Sequence, residues 1–356
     1  MPRRPVAAPS RSPIKTVVLF QGGGPLGAFG CGAWQALAPW LAASGHELIA
    51  VAGASIGALN ACTVATAFHS ADHGRSQLQQ LWEERIAMPS FPFLGLPLGD
   101  SLTAQQLRAT NGLLTGLLWG NRGLFHPEFA NWNVLGALRR RERPLYRPLA
   151  LQQLFETLVG SEGYRSRPGE GPMLAVAATD VASGRLRLFC SDDEAVQVPA
   201  LTASAAMPLM FPSVEMDGRL YWDGEVSREP ALQLLWERLC ANGRVQADEP
   251  VQLVTIEQFA PAPAELPLSS IAMLDRTLHL LMFDKLAPQP LLASRFQPWL
   301  RIMRPSLPED GIGGQFDYSP ERVARLMAQG VQQARQALAG QVQDPRQPTA
   351  GEALPA

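Results

Sequence analysis

The pentapeptide Gly53-Ala54-Ser55-Ile56-Gly57 carries residue types that could do acyl-transfer chemistry. It reads G-x-S-x-G and lies between a predicted strand and a predicted helix, which is the setting of a nucleophile elbow. In that tight turn small residues flank the serine, and the helix dipole stabilises developing negative charge. The spacing makes Ser55 the candidate nucleophile, with Gly53 and Gly57 supporting the turn. The alternative is a plain small-residue turn that lets a helix pack close to a sheet.

The glycines that follow the first predicted strand could serve two different chemistries. Gly22, Gly24 and Gly27 spell G-x-G-x-x-G, a dinucleotide-binding fingerprint that also needs an acidic residue at the far end of the second strand. Glu47 has about that spacing but precedes the strand. Beside a nucleophile elbow, the bare N–H groups of Gly22, Gly23 and Gly24 could instead bind an oxyanion. This interpretation explains both motifs and needs no cofactor or metal, while a non-catalytic nucleotide-binding protein is the alternative.

A nucleophilic serine needs a base, and the sequence offers two candidates. Asp223, in Asp223-Gly224, follows a predicted strand, and a carboxylate can take the serine proton when it is close and partly desolvated. Of the five histidines, His279 alone follows both Ser55 and the candidate Asp223 in hydrolase order. His279 lies in a helical stretch, where a lone histidine is more often structural. A Ser55–Asp223 dyad, a Ser55–Asp223–His279 triad and a simple turn aspartate are all compatible with the residues.

The elements that must position these residues alternate between strand and helix. Apolar runs predict strands at Thr16–Phe20 and Leu48–Ala52, with helices over Leu26–Ala43 and from Ile56 onward. Such a series implies a parallel sheet with right-handed crossovers. Further along, the patterns predict a strand in "PMLAVAATD", its partner in "SGRLRLFCS", a hairpin turning at Asp217-Gly218, a strand in "EPVQLVTIEQF" and a helix with Ser319 as N-cap, Pro320 at N1 and Gly340 at its end.

Composition excludes several classes of function. The chain is 46% hydrophobic and 17% charged with a net charge of −2, so no basic field indicates nucleic acid as a partner. The four cysteines have no metal-ligand spacing and are predicted to be reduced core residues of a cytoplasmic protein. Two uncharged stretches, Thr16–His46 and Leu48–Ala71, are broken by glycine, proline or asparagine and fit buried strand-turn-helix units better than membrane spans.

The chain is predicted to form one large domain over residues 15–338, with disordered tails at 1–14 and 339–356. The basic, proline-rich N-terminus has no apolar region after it, unlike a secretory signal. An apolar insertion at about 89–126 is interpreted either as an acyl channel or interfacial lid or as ordinary core-covering structure. A C-terminal helical part is predicted at about 265–338.

Three ordered motifs together resemble the patatin-like phospholipases: Gly22-Gly23-Gly24-Pro25-Leu26-Gly27, Gly53-Ala54-Ser55-Ile56-Gly57 and Asp223-Gly224-Glu225. The segments "AVAATDVASGRLRLF" and "ASAAMPLMFPSVEMDGRLYWDG" are similar to bacterial members, and the likeness spans about Val17 to Pro230. The resemblance implies an α/β three-layer sandwich with a mostly parallel central sheet and helices on both faces. It also implies lipid acyl hydrolysis by a Ser55–Asp223 dyad without histidine, with Gly22, Gly23 and Gly24 as the oxyanion hole.

Two residues depart from the family pattern. Many members have a cation just before the last glycine of the first motif, where this chain has Leu26, and that bears on head-group preference. The third motif ends in Glu225 rather than glycine or alanine. The expected substrate is a lipid or other acyl ester, with peripheral membrane contact at most. A non-catalytic scaffold that kept the fold is a further alternative.

Overall fold

The computed structural model describes residues 13–91, 102–132, 142–259, 273, 295–305 and 317–340. Most of both predicted tails and His279 lie outside these ranges. Where the predicted tails do meet described residues, Ile14 already begins the first strand and the last helix ends at Ala339. The predicted domain boundaries and the predicted disorder of the tails stay predictions.

Within the described ranges, one sheet contains eight strands. These are β1 (Ile14–Phe20), β2 (His46–Gly53), β5 (Met173–Asp180), β6 (Leu186–Cys190), β7 (Val214–Met216), β8 (Arg219–Asp223), β9 (Val251–Glu257) and β10 (Phe296–Met303). A separate small ladder pairs β3 (His126–Pro127) with β4 (Tyr146–Arg147). The sheet order is β10-β9-β1-β2-β5-β8-β7, with β6 also paired to β5.

The described helices flank this sheet. They are α1 (Gly27–Ala43), α2 (Ile56–Thr66), α3 (Arg75–Gln80), α4 (Leu102–Trp119), α5 (Leu149–Val159), α6 (Val198–Ser204), α7 (Ala231–Ala241) and α8 (Pro320–Ala339). A π-helical turn, Leu81–Ile86, continues α3, and a 3-10 turn, Gly24–Leu26, precedes α1.

The strand pairing brings two carboxyl ends together. Strands β10, β9, β1, β2 and β5 run parallel, whereas β6 and β8 are antiparallel to β5. Strand β6 pairs with one edge of β5, and both β2 and β8 pair with its other edge. Gly53 at the end of β2 lies opposite Val176, and Asp223 at the end of β8 lies opposite Ala178. Thus β2 and β8 meet head to head along one edge of β5.

Alternating strand residues pack against helices on opposite faces of the sheet. In β1, Val18 and Phe20 belong to the core that includes α1, α2 and α8, while Val17 and Leu19 belong to the core that includes α7. Because successive side chains of a strand point to opposite faces, this division shows helices on both sides. The predicted α/β fold, with its mostly parallel central sheet, is confirmed.

The prediction of a C-terminal helical part was wrong over Phe296–Met303, which forms β10 at the edge of the sheet. Pro298 argues against a strand in the sequence, because proline cannot donate to a ladder. An edge position tolerates it, and the register shifts between Phe296 and Trp299. Residues 265–272, 274–294 and 306–316 of the same part lie outside the described ranges.

The predicted turns and caps are mostly present. Asp217 and Gly218 both have positive φ, as a two-residue hairpin turn between β7 and β8 requires. Ser319 stands at the N-cap of α8 with Pro320 at N1, but the Ser319 side chain makes no capping hydrogen bond. Instead, the Ser319 N–H donates to Asp317 Oδ1 at 2.9 Å.

Helix α8 packs on α1 through two glycines. A Cβ added to Gly32 would lie 1.9 Å from the carbonyl oxygen of Met327, and one added to Gly330 would lie 2.1 Å from that of Phe29. Each helix therefore presents a bare backbone to the other. The α1–α8 contact joins the C-terminal helix to the helix that follows the glycine-rich loop.

Replacing Gly32 by alanine is expected to lower the free energy of unfolding by about 3 kcal/mol, because the two backbones must separate. The matched control is Gly340→Ala, since the nearest atom there is 3.6 Å away and φ is −65°. It should change stability by less than about 0.5 kcal/mol. Urea denaturation measures both, and equal stabilities of the two variants would contradict the close approach.

Candidate active site

Ser55 occupies a strained turn at the start of α2. Its φ is 55° and its ψ is −131°, a conformation that costs free energy for a residue with a side chain. A Cβ on Gly53 would lie 2.4 Å from the carbonyl carbon of Gly57, and one on Gly57 would lie 2.2 Å from the carbonyl oxygen of Phe20. Both glycines of the G-x-S-x-G motif are therefore required by close backbone contacts.

The glycine-rich loop lies directly beside this turn. Gly23 and Gly24 have φ of 141° and 57°. A Cβ on Gly22 would lie 3.1 Å from Ser55 Cβ. Gln21 ties the loop to the end of β9: its N–H donates to the Ile256 carbonyl at 3.1 Å, and its Oε1 accepts from the Gln258 N–H at 2.9 Å. The loop amides are thus held next to the candidate nucleophile.

Asp223 ends β8, where β8 meets β2. Its side chain is fully buried, and Oδ1 accepts a hydrogen bond from the Glu225 N–H at 2.9 Å. The turn Ser204–Ala206 holds the backbones of both Ser55 and Asp223. The Ser55 N–H donates to the Ser204 carbonyl and the Asp223 N–H donates to the Ala206 carbonyl, each at 2.9 Å. The three predicted motifs therefore come together at one end of the sheet.

Glu225 has a contact that the sequence reasoning did not foresee. Its Oε1 accepts a hydrogen bond from the Gly22 N–H at 3.0 Å. A Cβ on Gly22 would come within 2.8 Å of the same oxygen. A carboxylate of the third motif thus sits on the first glycine amide of the first motif. The only signal in the sequence was the acidic residue in a position where the family has glycine or alanine.

Two supporting residues were also missed. Asn60 is fully buried in α2, where its Nδ2 donates to the Gly27 carbonyl at 2.9 Å and its Oδ1 accepts from Trp82 Nε1 at 2.9 Å. Ser204 is fully buried and its Oγ accepts from the Ser55 N–H at 3.3 Å. A polar residue inside an otherwise apolar helix was the available signal for Asn60.

Leu26, the other departure from the family pattern, is buried in the core rather than facing a substrate.

Other nucleophiles and bases of the described residues lie in different surroundings. His46, His69 and His73 hydrogen-bond to Thr16, Glu170 and Phe68. The four cysteines are unpaired, and burial raises the pKa of the Cys190 thiol to about 12, which keeps that thiol protonated. No cluster of metal-ligating side chains occurs in the ranges that the structure describes.

An apolar cavity of about 80 Å³ adjoins the three motifs on the α7 face of the sheet. Its polar lining residues are Gln21, Glu225, Ser227 and Glu229. The remainder is mostly aliphatic: Leu19, Ala52, Ala175, Ala177, Leu186, Leu188, Leu232 and Leu235. A space of this kind suits an alkyl chain rather than a polar ligand.

Helix α4 contains most of the described residues of the predicted lid-like insertion. It packs close to the residues before α8, since a Cβ on Gly112 would lie 2.4 Å from Asp317 Cγ. The Tyr146 hydroxyl donates to the Leu117 carbonyl at 2.8 Å, and Leu117 and Leu118 are half-buried. Among the described residues of α4, none lines the apolar cavity. Residues 92–101 lie outside the described ranges, and the lid role stays a prediction.

The arrangement is that of a hydrolase whose strained serine follows a parallel strand beside a glycine-rich loop. The family model for the patatin-like phospholipases matches residues 18–236, more than half of the chain. The chain belongs to the patatin-like phospholipase family, and it is a lipid acyl hydrolase by class. The family resemblance inferred from the three motifs is confirmed.

Solved structures that match the chain include VipD from Legionella pneumophila, at 16% identity and a TM-score of 0.42 over 92% of this chain and 67% of VipD. ExoU in the ExoU–SpcU complex from Pseudomonas aeruginosa matches at 13% identity and a TM-score of 0.36, over 93% of this chain and 52% of ExoU. The chain thus spans about two thirds of one neighbour and half of the other. No curated protein matches the sequence.

Proposed function

We propose that the protein cleaves carboxylic esters of lipids through a Ser55–Asp223 dyad. Ser55 Oγ attacks the ester carbonyl while Asp223 accepts its proton, and the N–H groups of the Gly22–Gly24 loop stabilise the resulting oxyanion. The C–O bond of the ester then breaks, and the alcohol leaves with the proton from Asp223. Water that gives its proton to Asp223 attacks the acyl-enzyme, releasing the fatty acid and regenerating Ser55.

One observation carries this proposal: an amide of the glycine loop already binds a carboxylate oxygen next to a strained serine. The Gly22 N–H donates to Glu225 at 3.0 Å, and Ser55 Cβ lies beside Gly22. An amide that binds a carboxylate can bind the oxyanion of a tetrahedral intermediate in the same way. The head-to-head ends of β2 and β8 support the pairing of Ser55 with Asp223, because they bring the two residues to one junction.

A fluorophosphonate is expected to add one adduct to the wild-type protein and none to Ser55→Ala, as measured by intact mass. Asp223→Asn should react at least ~100-fold more slowly, because the serine loses its base. Asp217→Asn, an exposed turn aspartate, is the matched control and should react at the wild-type rate.

Each alternative corresponds to a different result of that experiment. A folded wild-type protein that stays unmodified would contradict the hydrolase proposal and favour nucleotide binding or a scaffold role. Loss of labelling in His279→Ala, with its thermal midpoint unchanged, would replace the dyad by the triad.

We further propose that the apolar cavity holds the acyl chain. Ala175 is fully buried in its floor, so Ala175→Leu fills much of it without adding a polar group. The ratio of kcat/KM for a long-chain ester to that for a short-chain ester is expected to fall about tenfold, since each buried methylene contributes roughly 0.8 kcal/mol. The double replacement of Leu117 and Leu118 by serine should leave that ratio unchanged. The reverse pattern would assign the acyl channel to α4.

We also propose that the enzyme is cytoplasmic and makes peripheral contact with a lipid surface. The unpaired cysteines support a reducing compartment. Within the described part of the chain, no helix is long and apolar enough to cross a membrane. An apolar rim, defined as Phe129, Trp132 and Leu209, supports contact with a lipid surface. Leu209 is 82% exposed at a φ of 68°, so an apolar side chain is held in solvent by a strained backbone.

The apolar rim is joined to the site. The Leu145 N–H donates to the Leu209 carbonyl, and the Trp132 ring N–H donates to the Leu145 carbonyl. Leu209 itself lies three residues after Ala206, whose carbonyl accepts the Asp223 N–H.

Replacing Phe129 and Leu209 by serine is expected to weaken sedimentation with phosphatidylcholine vesicles by about tenfold or more. Leu220→Ser, an exposed leucine on the β7–β8 hairpin, is the control. Equal binding by all three proteins would contradict the contact.

A further inference from the structure

Glu225 occupies an amide that the proposed mechanism assigns to the oxyanion hole. Its Oε1 accepts the Gly22 N–H at 3.0 Å, and that amide is one of the donors that the proposed mechanism requires. An N–H group has one hydrogen, so it cannot serve Glu225 and an incoming carbonyl oxygen fully at the same time. The two acceptors therefore exclude each other at Gly22.

Steric contact points the same way. A methyl group on Gly22 would come within 2.8 Å of Glu225 Oε1, within 2.9 Å of Glu225 Cγ and within 3.1 Å of Ser55 Cβ. The Glu225 side chain, its amide partner and the nucleophile thus share one small space. An ester carbonyl attacked by Ser55 has to enter that space.

The backbone keeps Glu225 in this position. Its N–H donates to Asp223 Oδ1, which fixes the first turn after β8. The residue before Glu225, Gly224, is held against β5, where an added Cβ would lie 2.4 Å from the Ala177 carbonyl oxygen. The side chain, by contrast, is half-buried and borders the apolar cavity, which gives it space to rotate away.

We propose that Glu225 is an internal competitor for the oxyanion site, which must leave Gly22 before the substrate carbonyl can bind. The inference rests on the proposed hydrolase function and adds a residue that limits its rate. Because displacement precedes the contact with any ester, the competitor lowers kcat/KM by the same factor for short and long acyl chains. A uniform factor separates this role from a change in the acyl-binding cavity.

The test is the second-order rate constant for fluorophosphonate labelling of wild type, Glu225→Ala and Glu225→Gln. Removing a charge-assisted hydrogen bond is expected to speed labelling of Glu225→Ala by about tenfold to a hundredfold. Glu225→Gln keeps the side-chain length with a neutral acceptor and should gain less. Glu237→Ala, an exposed glutamate on α7, is the matched control and should match wild type.

Added acetate provides a second readout that a merely structural role would not move. Acetate should slow labelling of Glu225→Ala by occupying the vacated amide, and it should leave the wild-type rate unchanged. Turnover of a short-chain and a long-chain ester should rise by the same factor in this variant.

Three outcomes overturn the proposal. Labelling of Glu225→Ala at or below the wild-type rate, with Ser55→Ala still unlabelled, refutes the competitor and leaves the hydrolase function standing. If Glu225→Ala has a lowered thermal midpoint, Glu225→Gln decides, and an unchanged rate in that variant refutes the competitor as well. No labelling of any folded variant refutes the hydrolase function and the competitor together.

Discussion

The site depends on one close approach of backbone to backbone. The turn after β2 comes so near the end of β1 that a Cβ on Gly57 would lie 2.2 Å from the Phe20 carbonyl oxygen. This contact brings the loop that begins at Gly22 against Ser55. A side chain at Gly57 would force the glycine loop away from the nucleophile, and no rearrangement of side chains alone could restore the geometry. The strained φ of Ser55 belongs to the same tight turn.

The second determinant is the junction of β2 and β8. Two strands that share one edge of β5 end there from opposite directions. The turn at Ser204–Ala206 accepts one N–H from Ser55 and one from Asp223, the proposed dyad. The backbones of Ser55 and Asp223 are therefore positioned by main-chain hydrogen bonds and not by contacts of flexible side chains. Such a preorganised frame reduces the reorganisation needed at the moment of reaction.

The folded unit extends beyond the part that defines the family. The family model covers residues 18–236, yet β9, β10 and α8 come later in the chain. Strand β9 anchors the glycine loop through Gln21, and α8 packs on α1 at Gly32 and Gly330. A protein cut after the family match would lose the strand that holds one side of the glycine-rich loop. Glu225 shows how a small departure inside the motif changes the same site, since a carboxylate reaches the amide that a glycine or alanine there would leave open.

The sequence alone determined the α/β class, the positions of most strands and the three motifs, because these depend on local signals: apolar periodicity, glycine spacing and turn dipeptides such as Asp217-Gly218. It also predicted the residues Ser55, Asp223 and Gly22–Gly24 that the structure brings together. Only the tertiary structure decided which backbone groups touch. The Glu225–Gly22 hydrogen bond joins residues 203 positions apart, and the edge strand β10 contains a proline that local rules count against a strand. Contacts between distant segments depend on how the sheet is ordered and registered, and a single sequence carries no local signal for that.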